Sequence, residues 1–377
     1  MRKGWRNGRI DNGVIEVQKY FEEIKDARQE WKVKHKLIEI LVTGICAVIS
    51  GCEYFEDIAD FCRVKSEWFR EKLGLKLEHG TASHDTYGRV FEMIEPKEFE
   101  SGFRKWVASI RRKTKDEVVS IDGKTVCGSG DDINPAIQMV SAWANANRLV
   151  LGQVKVNDKS NEIKAVPELL EILYLKGCIV TIDAMGCQKE ISEKITAKKA
   201  EYVFSLKDNH PDMYNDVKFY FANEPVKKST VTQNKGHGRV ERREYYLERN
   251  ISWLHNRDEW TNLNGIGMVK STVCEKDKVR EETRYFITSL MSVDLFAKAV
   301  RAHWGIENNL HWCLDVVFHE DDCQVRNTNA AENFAVIRHI ATNVLKNYPV
   351  KMSLARKRRK CQYDADFMAD VLISVFS

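Results

Sequence analysis

Apolar side chains recur every three or four residues from Val17 to Ile110, a spacing that predicts helices. Leu37, Leu41, Ile45, Val48 and Ile49 form one stripe closed by Gly51. Tyr54, Ile58 and Phe61 form a second, and Tyr87, Val90, Phe91 and Ile94 a third, for which Ser83 is the expected N-cap. After Glu117 the period changes. Strands are predicted at 118–122, 137–144 and 149–156, then a helix at 166–175 with Pro167 at its first position, a strand at 178–183, a helix at 187–197 and a strand at 201–206. Period-2 segments at 243–247, 267–274 and 283–288 then predict a β-rich stretch. A long helix follows from about Val293 to Phe318, with Phe296, Val300, Trp304, Leu310, Leu314 and Val317 on its apolar stripe.

Two of the strands end alike, Val-Val-Ser-Ile-Asp122 and Ile-Val-Thr-Ile-Asp183, each followed closely by glycine. A turn at Asp122-Gly123 and a helix cap at Asp183 would explain either residue alone. Carboxylates at the ends of adjacent parallel strands, about 4.8 Å apart, are also suited to sharing hard divalent cations. Three strands, helix, strand, helix, strand is the order of a ribonuclease-H-like domain, whose first and fourth strands carry its first two acids. Glu307 falls on the apolar stripe of the long helix. A carboxylate there needs an ion-pair partner, such as Arg301, Lys298 or a histidine, or a metal. Three carboxylates holding two Mg²⁺ ions, with Mn²⁺ as a substitute, would suit in-line attack at phosphorus.

Composition narrows the class. The 377 residues are 43% hydrophobic, enough for two or three domains with real cores. Ten scattered cysteines form no Cys-x-x-Cys pair, which disfavours zinc fingers and disulfide scaffolds and fits a reducing cytoplasm. His303 and His311, eight apart, match no zinc pattern. No signal peptide is expected from the opening residues, and no apolar run is long enough to span a bilayer. The net charge of +4 divides unevenly. Residues 1–115 carry 23 basic against 19 acidic side chains, the centre 29 against 33, and residues 346–377 carry 7 against 3. Basic flanks around an acidic centre suit a polyanion held at the ends and presented to a metal-binding middle. The run Arg356 to Lys360 fits such tracking of phosphates.

Several motifs then agree with one family: His35 to Gly51, Ser83-His84-Asp85-Thr86, Ile121-Asp122-Gly123-Lys124, Lys159-Ser160-Asn161-Glu162-Ile163, Thr181-Ile182-Asp183-Ala184, Leu206-Lys207-x-Asn209, Gly236-His237-Gly238-Arg239, and His303-Trp304-Gly-Ile306-Glu307-Asn308 with Leu310-His311-Trp312. Over almost its full length the chain resembles bacterial insertion-sequence transposases of the DDE class, in the group of the H-repeat-associated proteins. The resemblance implies a ribonuclease-H-like core interrupted by a β insertion, Mg²⁺ dependence, and cleavage and transfer of double-stranded DNA at element ends by Asp122, Asp183 and Glu307. It implies DNA contacts at Lys124, Lys159, Asn161, Lys207, His237, Arg239, Arg301 and His303, on terminal repeats and target DNA in the bacterial cytoplasm, with the protein associated with the nucleoid when bound; because transposition needs two ends held together, a homodimer on DNA is expected. Val300, His303 and Leu314 stand where the broader class carries Tyr, Arg and Lys, so no strand-hairpin step is carried over. The expected organisation is a helical, DNA-binding region over 1–115, the core over 116–208, the insertion over 209–290, the core again over 291–345 and a basic segment over 346–377. A nuclease without strand transfer, and a decayed DNA-binding protein, are the alternatives.

Overall fold

The structure is a computed structural model that describes residues 19–131, 135–156, 162–225, 229–236, 239–275 and 278–376. The helical region forms as its periodicity requires: α1 (Leu37–Ile49), α2 (Phe55–Val64), α3 (Ser66–Leu73), α4 (His84–Met93) and α5 (Pro96–Ile110). Ser83 takes the N-cap position of α4, but its hydroxyl meets that of Thr86 at 3.1 Å instead of a backbone N–H.

The mixed region supplies β1 (Val118–Thr125), β2 (Gln138–Ala144), β3 (Leu149–Lys155), α6 (Glu162–Ile172), β4 (Ile179–Ile182), α7 (Lys189–Ala197) and β5 (Glu201–Leu206). The expected order holds, with two corrections. Strand β1 does not stop at Asp122: pairing with β2 carries it on to Thr125, and only the parallel pairing with β4 ends, at Ile121 opposite Ile182. Helix α6 starts a turn earlier than expected, so Pro167 lies inside it and not at its first position.

The stretch expected to be β-rich opens with a helix, α8 (Pro211–Asn223), before β6 (Ser229–Gly236), β7 (Arg239–Glu248), β8 (Gly265–Glu275) and β9 (Lys278–Thr288). These strands join β5 through β9 and continue the same sheet. Its nine strands run β3-β2-β1-β4-β5-β9-β8-β7-β6, with β1, β4 and β5 parallel. The predicted long helix is divided into α9 (Val293–Ile306), a π-helical turn (Glu307–His311) and α10 (Trp312–Val316). Three helices complete the described chain: α11 (Thr328–Asn347), α12 (Leu354–Tyr363) and α13 (Ala365–Phe376).

Strand alternation decides what each sheet face packs against. Val119, Ile121, Val180 and Ile182 point into a large core shared with the N-terminal helices and with α11, which packs on α1, α4, α5 and β3. Val118 and Ile179 point the other way, toward α9, with Tyr245, Leu247, Phe286, Phe296 and Val300. Ser120 and Asp122 therefore share the α9 face of β1, and Thr181 and Asp183 extend the same face of β4. Gly267 lets α9 lie close on the sheet, because a Cβ there would stand 2.3 Å from the Phe296 ring.

Part of the basic C-terminal run is structural, while Arg356 and Arg359 stay exposed. Within α12, Lys357 and Arg358 are buried; Lys357 donates to the carbonyls of Leu345 and Tyr348, and Arg358 to those of Val48, Val317 and Cys52. Carbonyls left open at helix ends need donors, and these two side chains supply them. Among the described residues no helix is long and apolar enough to cross a membrane. The ten cysteines are free thiols, eight of them buried.

Candidate active site

Asp122 and Asp183 each lie one residue past the registered pair Ile121–Ile182, on neighbouring parallel strands and on one face. They line a single cleft with Glu307, and the cavity volume is about 470 Å³. Asp183 Oδ1 accepts the N–H groups of Met185 (3.0 Å) and Gly186 (3.3 Å), so the aspartate shapes its own turn as well as facing the cleft. Asp122 Oδ1 accepts the Gly123 N–H at 3.0 Å, and Oδ2 stands 3.6 Å from His311 Nδ1.

Glu307 corrects the sequence reading in one respect. The apolar stripe would bury it, but it is exposed, at the junction where the π turn begins. A π turn holds one extra residue per turn, which rotates the following side chains relative to a regular helix. Leu310 and Leu314 are thereby buried while Glu307 stays at the cleft. The expected ion-pair partners are engaged elsewhere: Arg301 lies 3.7 Å from Glu241, and Lys298 donates to the Asp116 carbonyl. Among the described residues nothing bonds to the Glu307 carboxylate.

Nor, among the described residues, do three His, Cys, Asp or Glu side chains stand close enough together to hold an ion. The donor chemistry fits a hard divalent cation nonetheless, since three carboxylates share one cleft and Glu307 is uncommitted. An ion would have to draw them together.

Lys124 follows Asp122 by two residues but does not open toward a phosphate. Its ammonium lies 2.7 Å from Asp315, 2.8 Å from Asp321 and 3.4 Å from Glu320. Burial works to lower its pKa, yet Glu320, Asp315 and Asp321 outweigh burial and hold it well above the ordinary lysine value. Lys207 and Arg301 do line the cleft and are exposed. Arg239 is exposed at the far end of the β6–β7 hairpin, outside the cleft lining. Lys159, Asn161 and His237 lie outside the described residues.

His303 lines the cleft one helical turn before Glu307. Burial holds its pKa down to about 4 against the pull of Asp183, with Arg284 lowering it further, so at neutral pH it is uncharged and offers no cation to a phosphate. His311 is pushed to about 4 by burial, with Lys124 and His303 adding to the effect. The cationic wall comes from the insertion instead. Arg243 is buried, bonds Glu241, and stacks on Trp304 with its guanidinium carbon 4.1 Å from the ring centroid; Arg284 approaches the same ring at 5.0 Å. Sequence reading missed both arginines, which alternate with acids along exposed-looking strands and give no local signal. It also missed Ser120 and Thr181, for which a signal exists: both repeats carry a hydroxyl two residues before the aspartate, in otherwise apolar strands.

A cleft lined by carboxylates and by guanidinium groups suits a polyanion handled together with cations, the chemistry of a nucleic-acid-processing protein. Comparison with known families agrees. Residues 113–344 match the family model described as "Transposase DDE domain", and residues 18–107 match the one described as "DDE_Tnp_1-associated". The chain is 41% identical over 374 residues to the "H repeat-associated putative transposase YhhI" of Escherichia coli K12, covering 95% of this chain and 98% of that one. It is 40% identical over 369 residues to the "Putative transposase YncI" of Escherichia coli O157:H7, with 94% of each chain covered. The chain belongs to the DDE transposase family. Among solved structures, a piggyBac transposase synaptic complex with hairpin DNA aligns with 97% of this chain and 77% of that one, at 11% identity and a TM-score of 0.38, too low to weigh on the fold.

Proposed function

We propose that the chain is a DNA transposase that cleaves DNA at the ends of its insertion element and joins them to target DNA, using Asp122, Asp183 and Glu307 with Mg²⁺ or Mn²⁺. The observation that carries this reading is the convergence of the three carboxylates on one cleft from β1, β4 and the end of α9. A ribonuclease-H-like core fits the sheet order β3-β2-β1-β4-β5, with acids on the first and fourth strands. Divalent cations bound by the three acids would activate the attacking oxygen and stabilise the leaving one. The strands fix Asp122 and Asp183 through register, and the π turn lets Glu307 close on them. Lys207, Arg284 and Arg301 line the cleft where they can steer the strand's phosphates, with Arg243 buried against Glu241. The helical N-terminal region and the β6–β7 hairpin with Arg239 are the proposed surfaces for duplex outside the cleft, and two chains would hold the two ends together.

The test is single-turnover cleavage of linear DNA bearing the element's own ends, with Mg²⁺, Mn²⁺ or EDTA. Asp183→Ala is expected to slow cleavage by on the order of 10³-fold or more, because the electrophilic assistance lost is worth several kcal/mol. Cleavage that survives EDTA or this substitution would overturn the mechanism. Cleavage without strand-transfer products would identify a nuclease, and binding without cutting a decayed copy.

A further inference from the structure

A chain of polar contacts ties β1 and β4 to α9 and ends at His303. The Asn145 side-chain amide donates to the Val118 carbonyl (3.2 Å) and to Ser120 Oγ (3.0 Å). Ser120 Oγ donates to the Ala302 carbonyl at 3.3 Å, Thr181 Oγ1 stands 3.2 Å from Ser120 Oγ, and Thr181 Oγ1 stands 2.9 Å from His303 Nδ1. Both hydroxyls are buried. Gly305 permits this approach, since a Cβ there would stand 2.2 Å from Asn145 Oδ1.

Only one placement of the hydrogens makes every one of these contacts a hydrogen bond. A carbonyl only accepts, so the single hydroxyl hydrogen of Ser120 goes to Ala302. Thr181 must then supply the hydrogen between the two hydroxyls, and its oxygen accepts from His303. In that placement Nδ1 carries the imidazole proton and Nε2, on the ring edge away from the relay, keeps a lone pair; His303 lines the cleft with Asp183 and Glu307.

We propose that His303 is a catalytic residue that accepts, at Nε2, a hydrogen bond from the attacking hydroxyl, water in the cleavage step and a DNA 3′-hydroxyl in strand transfer. The proposal rests on the transposase reading above and adds a residue to it. Its place one turn from Glu307 puts the two side chains on one helix face. The hydrogen bond orients the nucleophile's oxygen toward phosphorus, and the relay keeps the acceptor from flipping to a donor. The neutral state enforced by burial keeps the lone pair available at physiological pH. This role differs from that of the arginine found here in the broader class, which offers only donors.

Asparagine reproduces the Nδ1 donor but has no group at Nε2, whereas glutamine reaches that position with its carbonyl. His303→Asn is therefore expected to slow single-turnover cleavage roughly 10²-fold and His303→Gln by less than about 10-fold, both with DNA affinity unchanged. A readout that needs no turnover is the ¹⁵N spectrum of the histidine-labelled full chain, with the His303 signals assigned by their loss in His303→Asn. The expected pattern is protonated Nδ1 and unprotonated Nε2, scrambled by Thr181→Val. The opposite tautomer, or wild-type cleavage by His303→Asn while Asp183→Ala is dead, overturns the proposal and leaves the transposase reading intact. Cleavage independent of Asp183 overturns that reading itself, and the spectrum still decides the tautomer.

Discussion

The two halves of the nine-stranded sheet are joined by backbone pairing between β5 and β9, yet they are built on different terms. In the half formed by β1 to β5, β4 is buried along its whole length and β1 is buried until it reaches Asp122. In the other half, β9 is exposed through its first six residues and becomes buried only where it meets β5 and α9. A strand covered on both faces fixes its side chains to within the tolerance of packing, and the two aspartates are placed by such strands. An exposed hairpin has no such constraint. The outer strands reach the cleft near the end where β9 meets β5, from Glu282 and Thr283 at the edge of the exposed stretch to the buried Tyr245 and Phe286. Precision is thus concentrated where chemistry is proposed, and the distal arm is free to present charge.

That contrast is sharpest at Lys124. Replacing it with alanine should leave Asp315 and Asp321 without their cation and the buried Glu320 with Arg338 alone, 3.5 Å away. The expected loss is about 1–3 kcal/mol of unfolding free energy, the usual penalty for removing a charged hydrogen-bonding partner from a partly buried site. Lys124→Met, which keeps the volume, would lose the same three ion pairs. A denaturant midpoint unchanged in Lys124→Ala would show that the core half is not rigidly held.

A smaller effect should appear on acidification. His303 and His311 titrate at about 4 in the fold, and His339, buried beneath them, at about 3; burial is the main cause each time. In the unfolded chain they titrate near 6.5. The folded state binds fewer protons across this interval, so their contribution to stability is complete above pH 6.5 and is lost as pH falls through 4. Thermal unfolding of wild type followed from pH 7 to pH 4 should show the midpoint falling, with a shallower slope in His339→Phe. Equal slopes would remove His339 from the account.

The smallest effect is expected on the arm. Val279, near the start of β9, is 63% exposed, and Val279→Thr should change stability by less than about 0.5 kcal/mol. A larger loss would mean that the arm is held as tightly as the core.

Much of the helical region and the first five strands was legible because their periods are dictated by burial on one or two faces. The arm's strands were legible in part, since period 2 survives on a half-covered sheet. Pro167 was misplaced because a proline within a helix and one at its start have the same local sequence. Lys124, Lys357 and Arg358 were read as open to phosphate because lysine and arginine usually are. Their partners lie far along the chain, Asp321 for Lys124 and Val48 for Arg358, and no local pattern announces them.

The sequence by itself determined which residues share a face. The repeats ending in Asp122 and Asp183 set hydroxyl and carboxylate on alternate positions, and strand geometry then places all four toward one side. The tertiary structure decided what that side meets: α9 close enough, through Gly305, for Thr181 to fix the ring of His303, and a π turn that leaves Glu307 at the cleft. Periodicity is a property of neighbouring residues, whereas tautomer, ion-pair partner and helix register at a junction depend on groups brought together only by packing.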